Sequence, residues 1–327
     1  MQNNMDAVAS TKKGIQFDNH TVAEFAKKYG ALIVLIILVA VNVMFTPNFA
    51  KVNTMWNVLI QVSTVMLVAL GMTIVISSGG IDISVGSIMA ISSIVTAKLL
   101  PIGVLPAILI GLLIAAGFGL FSGFMISHFR IQPIIITLTL MISVRGIAQV
   151  VNNANLLNFT EPKFSFIGTH RIFGVIPVQV VIMIVAIAVV YFVMQRMTFG
   201  RYVQAMGDNH KASRLAGVNT FMTILAVYAL SACMAGLAGL IETARLSAAD
   251  ANSIGKLMEL DAIASVAVGG TAMSGGRANV IGTVIGALIM QVITVSVNMN
   301  NIPFSYSLVL KSIIIILAVY VQRERTA

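Results

Sequence analysis

Apolar runs of roughly the length that crosses a bilayer recur from one end of the chain to the other. They cover 30–46, 55–77, 85–100, 105–127, 132–150, 174–194, 220–242, 257–270, 279–297 and 306–321. A helix rises about 1.5 Å per residue, so about 20 residues span the hydrocarbon core, and the third and eighth runs fall short of that. The composition agrees: 58% of the 327 residues are hydrophobic and only 9% charged, against roughly 25% charged in soluble domains. Backbone in lipid must satisfy its own hydrogen bonds, which leaves helices as the form these runs can take. The expected fold is therefore all-α, a polytopic membrane protein of about ten transmembrane helices, short or broken ones among them. No small-residue cleavage site follows the first run, which reads as a retained span with residues 1–29 as a cytoplasmic segment before it.

Loop charge sets the orientation. With the N-terminus inside, Lys12, Lys13, Lys27, Lys28, Arg130, Arg196, Arg201, Lys211, Arg214, Arg277, Arg323 and Arg325 are cytoplasmic. Lys51, Lys98, Lys163, Arg171, Arg245, Lys256 and, at a span edge, Lys311 are external, and Arg145 lies within a span. Twelve against seven places both termini in the cytoplasm. The net charge of +9 is dispersed over short loops without interleaved aromatics, which argues against a nucleic-acid partner. The single cysteine, Cys233, sits in an apolar run as a small core residue, so neither disulfides nor a cysteine-held metal enter the design.

The apolar pattern is interrupted at "ISSGGIDISVGSIMAI", residues 76–91, and echoed in "VAVGGTAMSGGRANVIGTVIGA", residues 266–287. Each carries apolar residues into a glycine pair (Gly79 and Gly80; Gly269 and Gly270), then small and polar residues, then a second apolar helix. Paired breaks in two halves of a membrane protein point to a transport site, because irregular backbone at membrane depth is tolerated only where it lines a cavity or is buried in protein. Asp82 stands where the next helix begins, ahead of Ser84, and suits a structural cap on that helix or the lining of a pathway or gate.

Glu259 and Asp261 are two residues apart, about 200° around a helix, and cannot share a site. One is expected to face the bundle interior and the other a neighbouring helix or the mouth. Arg145 needs an anionic or carbonyl partner, with Glu259 or Asp261 as candidates by depth, in a structural ion pair or a substrate contact. Glu242 and Arg245, three apart, suit a local pair. The small-residue spacings of "GFGLFSG" (117–123) and "GTVIG" (282–286) read as close helix packing.

The most informative polar segment is "GRYVQAMGDNHKASRLAGVN", residues 200–219. Asp208 or Asn209 can cap a helix, Ala212, Leu215 and Ala216 make a small apolar face, and Gly217 can end it. A two-turn helix of this kind can lie on the membrane surface or dock a cytoplasmic partner. The chain has no phosphate-binding loop, zinc motif or serine nucleophile motif, so no catalytic or metal site is expected. If ATP drives this protein, another chain hydrolyses it.

These segments resemble the permease subunits of bacterial sugar ABC importers of the ribose and galactose class. The resemblance covers nearly everything after about residue 30 and is carried by "GMTIVISSGGIDISVGS" (71–87), "IQPIIITLTLMISVRGIAQ" (131–149), residues 200–219, "IETARLSAADAN" (241–252) and "ELDAIASVAVGGTAMSGG" (259–276). It implies a single permease domain over 30–327 in the bacterial inner membrane, a second permease subunit (a homodimer or a closely related heterodimer), a cytoplasmic ABC ATPase holding ATP and Mg, and a periplasmic sugar-binding protein. It also implies that residues 201–217 form a coupling helix to the ATPase, with Arg201, Met206, Asp208, Asn209, Ala212, Leu215, Ala216 and Gly217 as contacts. One departure is visible: the family commonly reads Gly-Gly-Asn where this chain has Gly207, Asp208 and Asn209. The competing expectation is an ion-coupled secondary transporter, in which Asp82, Glu259 and Asp261 would carry protons or sodium.

Overall fold

A computed structural model describes residues 19–322, with side chains from 30 to 316; the rest of the N-terminal segment, Arg323 and Arg325 lie outside the described residues. Every apolar run becomes a helix. α1 (Asn19–Phe45), α2 (Val52–Ser77), α3 (Val85–Leu99), α4 (Val104–Phe129) and α5 (Pro133–Val151) come first. After the two-residue strand β1 (Leu157–Asn158) follow α6 (Pro162–Thr169), the hairpin β2 (Arg171–Ile172) and β3 (Ile176–Pro177), and α7 (Val178–Arg196). Then come α8 (Thr198–Asp208), α9 (His210–Leu215), α10 (Thr220–Leu246), β4 (Ala248–Ala249), α11 (Met258–Val268), α12 (Val280–Met299) and α13 (Phe304–Gln322).

Among the described residues seven helices are long and apolar enough to cross a membrane: α2, α3 with the short turn after it, α4, α5, α7, α10 and α12. The described apolar parts of α1 and α13 are shorter. α11 has eleven residues, about 16 Å, roughly half a hydrocarbon core. Its missing half is irregular: residues 250–257 turn through Gly255 and Leu257, both at positive φ, before α11 starts.

α2 is the central element. Every residue from Val62 to Ser77 is buried, on all faces of the helix, as expected of a helix that is apolar all round and enclosed by protein. On one side α10 packs on α3 and α4; on the other α11 and α12 pack on α2, with α1 and α13 outside them. Small residues allow the close approaches. A β-carbon on Gly119 or Gly123 would run into α10, and one on Gly282 or Gly286 into α11. Gly117, grouped with them in the sequence, faces open space. β1 pairs with β4, Leu157 opposite Ala249, and β2 with β3, both at the end of the bundle away from α8 and α9.

Candidate coupling face and helix breaks

The segment over 200–219 folds as two helices, which corrects the single coupling helix expected there. Asn209 (φ −150°, ψ 100°) breaks the chain between α8 and α9, and its side chain accepts the Ala212 N–H at 2.9 Å. Asn209 is thus the cap, while Asp208 closes α8. α9 ends as expected at Gly217 (φ +85°), with the Gly217 N–H on the Arg214 carbonyl and the Val218 N–H on that of Ser213. Ala212, Leu215 and Ala216 all face outward, and Leu215 is 90% exposed. Arg201 is exposed on α8, but Met206 is buried at 2% and faces the bundle, so it is absent from this outer face.

Both glycine breaks are helix terminations of one kind. α2 ends with the Gly79 N–H on the Ile76 carbonyl (2.9 Å) and the Gly80 N–H on that of Val75 (3.1 Å). α11 ends with the Gly270 N–H on the Ala267 carbonyl (3.0 Å) and the Thr271 N–H on that of Val266 (3.2 Å). This doubled pattern needs a left-handed residue at the turn, supplied by Gly79 (φ +85°) and Gly270 (φ +81°). The equivalence is therefore Gly79 with Gly270 and Gly80 with Thr271, one residue out of step with the glycine pairs read as aligned.

The two break loops meet each other and α8. The Gly276 N–H donates to the Ser77 carbonyl at 3.1 Å, and the Thr73 and Thr283 hydroxyls bond at 2.8 Å between α2 and α12. A β-carbon on Gly275 would stand 2.9 Å from the Gly207 carbonyl oxygen and 3.0 Å from the Gly79 α-carbon. One on Gly207 would overlap the Ser77 carbonyl oxygen and lie 2.5 Å from the Gly276 nitrogen. Three backbone segments thus touch directly where α8 ends. The sequence placed Gly207 in the coupling segment and Gly275 and Gly276 in the second break, but gave no sign that they meet one another and Ser77.

Asp82 is 1% exposed and fully engaged. Its Oδ1 accepts the Ser84 N–H (3.1 Å) and hydroxyl (2.6 Å), and its Oδ2 accepts the Ser231 hydroxyl from α10 (3.0 Å). It braces the entry to α3, binding the N–H of the residue at the helix start, and ties that entry to α10. Ser84 is itself completely buried as part of this cluster, while Ser274 in the second break is exposed.

The other charges meet the sequence expectation only in part. Arg145 takes the carbonyl alternative: its Nη1 donates to Ala251 (2.8 Å) and Ile254 (2.6 Å) and so holds the irregular segment before α11. Asp261 pairs with Lys311 at 2.7 Å; Lys311, expected at an external edge, is buried within α13. Glu259 is half-buried with its carboxylate against Gly86 in the first turn of α3. Glu242 and Arg245 form no salt bridge; instead Glu242 Oε2 and Arg245 Nε are buried without partners, as is the Tyr228 hydroxyl beside Gly80. Cys233 is a partly buried free thiol on α10. No group of residues able to hold a metal is present among the described residues.

A multi-span helical bundle with paired helix breaks and a short helix pair presented at one end is the build of a membrane transport subunit. The chain belongs to the family described as branched-chain amino acid transport system / permease component, whose pattern matches residues 54–319. It is 38% identical over 301 residues to the ribose import permease protein of Escherichia coli (strain K12), covering 90% of this chain and 93% of that one. It is 33% identical over 308 residues to the galactofuranose transporter permease protein of the same organism (90% and 89% covered), and 31% identical over 330 to the fructose import permease protein of Bifidobacterium longum (97% and 95%). No solved structure matches the chain. The protein is a transport component embedded in the membrane by many apolar helices.

Proposed function

We propose that the chain is the permease subunit of an ATP-driven importer in the bacterial inner membrane and passes a monosaccharide, a ribose-like pentose or a hexose, delivered by a periplasmic binding protein. Two such subunits, identical or closely related, form the pathway, and a separate ABC ATPase supplies ATP and Mg chemistry beneath them. The observation that carries the reading is α9: an apolar face open to solvent, joined directly to the end of α8 that touches both helix breaks. That is the arrangement an ATPase would need to grip and move. The α8–α9 end is then cytoplasmic, about ten helices enter the membrane with α11 as a half-span, both termini are inside, and residues 1–29 precede a single transmembrane domain over 30–327. Gly79, Gly80, Gly269, Gly270 and Glu259 border the part that moves.

The ion-coupled alternative is disfavoured by the acids themselves. Of the three acids that would carry the coupling ion, Asp82 is held by three hydrogen bonds and Asp261 by an ion pair, which leaves only Glu259 of that set. The family description favours a branched-chain amino acid as a second substrate class, whereas the relatives named above carry sugars in their names. Inside-out and right-side-out vesicles carrying the permease, its ATPase and binding protein settle both points. Uptake of labelled ribose, galactose or allose that requires internal ATP supports the proposal. Uptake driven by an ion gradient without ATP, or uptake of leucine with none of sugar, refutes it.

A further inference from the structure

At the end of the bundle opposite α8 and α9, a cavity of about 320 Å3 opens between α2, α6, the β2–β3 hairpin, α7 and α10. Asn57 and Gln61 enter it from α2, Thr169 from α6, Arg171 from β2, Gln179 from α7 and Arg245 from α10. Gln61 is sixteen residues, about 24 Å, from Ser77 at the other end of α2. The mouth and the coupling face are therefore at opposite ends of α2.

The polar groups here are positioned, and their capacity is unfilled. Gln61 Oε1 accepts from Gln291 Nε2 at 3.0 Å, which fixes its amide and leaves the Gln61 N–H groups to donate. Gln179 Nε2 donates to the Gly168 carbonyl, which leaves its oxygen free to accept. Arg245 contributes its side chain to the wall, while its Nε lies buried behind that surface without a hydrogen-bond partner. The lining thus offers donors and acceptors together. Its cationic character is moderated by Glu242, one turn from Arg245 on α10, whose charge acts on the same arginine from behind the lining. Hydroxyl groups, which donate and accept at once, match that mixture better than an anion does. The volume lies at the small end of small-molecule pockets, roughly 300–1,000 Å3.

We infer that this cavity is an entry site for one neutral monosaccharide, occupied after the solute leaves its carrier and before the pathway opens. This rests on the proposed import function and adds a place on the permease where the sugar is held. The test uses full-length permease purified in detergent, without carrier or ATPase. Trp56, the single tryptophan and the neighbour of Asn57, serves as the fluorescence reporter. Ribose, galactose and allose are titrated, with gluconate as the anionic counterpart, and saturation-transfer NMR on the same sugars guards against a silent reporter.

The expected result is saturable millimolar binding of at least one neutral sugar, weakened about tenfold, the worth of one good hydrogen bond, in Arg245→Gln and in Gln61→Ala. Leu113→Ala, on the open face of α4 and outside the cavity lining, should bind as the native protein does. Gln61→Ala removes little packing and keeps the test open if Arg245→Gln fails to assemble. No saturable signal by either method, equal binding by both variants, or preference for gluconate would overturn the entry site. ATP-dependent sugar uptake by the native complex, measured in parallel, tells that failure apart from failure of the import reading itself.

Discussion

The α-carbon of Gly207 lies so close to the carbonyl oxygen of Ser77 that no side chain fits between them. The two are 130 residues apart by their numbers in the chain, yet the end of α8 rests directly on the end of α2 and on the loop that leads into α12. Backbone touching backbone transmits displacement with little give, because close-packed interiors are stiff.

Gly207→Ala should therefore act on coupling more than on assembly. The added methyl forces α8 away from Ser77 and Gly276, an overpacking cost of about 1–3 kcal/mol. Membrane insertion and ATPase co-purification are expected to persist while the ATP hydrolysed per sugar imported rises several-fold. An unchanged ratio in reconstituted vesicles would remove Gly207 from the transmission route.

Leu215→Asp and Ala212→Arg change exposed residues of α9, so thermal stability should move by no more than about 0.5 kcal/mol. Loss of ATPase co-purification, and of uptake with it, is expected in both. Retention of both activities would show that α9 lies against the membrane surface instead.

At Asp82 the series should be graded. Asn keeps one oxygen for the Ser84 N–H and hydroxyl, whereas Leu strands that N–H and the Ser84 and Ser231 hydroxyls in the interior, at about 1–3 kcal/mol for each group left unpaired. Thermal unfolding in detergent should rank native above Asn above Leu. A collapse of uptake in Asp82→Asn with unaltered stability would favour a proton-carrying role over bracing.

The Asp261–Lys311 pair makes a sharper stability prediction. Removing one partner leaves a largely buried charge uncompensated, at about 3–5 kcal/mol, while replacing both by apolar residues of similar size can be nearly neutral. Lys311→Met should thus be severely destabilised and the double variant Lys311→Met with Asp261→Leu should recover most of the loss. Equal melting temperatures for the single and double variants would sink the assignment.

What could be read along the chain was what depends on residues within a turn or two of one another. The ten apolar runs, the stops at Gly79 and Gly270, the Asn209 cap and the Gly217 end all follow from local hydropathy, backbone conformation and short-range hydrogen bonds. The offset between the two breaks was misread because a glycine pair marks a turn without saying which member takes the positive φ.

The partners of the charged residues were decided by tertiary structure alone. Arg145 reaches carbonyls 106 and 109 residues away, Asp82 a serine 149 away and Lys311 an aspartate 50 away. Spacing says only which side chains share a face of one helix; which helix that face meets is set by packing. In this chain hydropathy could not help either, since lipid and protein interior are both apolar. Nothing in the composition of α2 distinguished it, enclosed by protein from Val62 to Ser77, from α4 and α5, whose faces remain largely open.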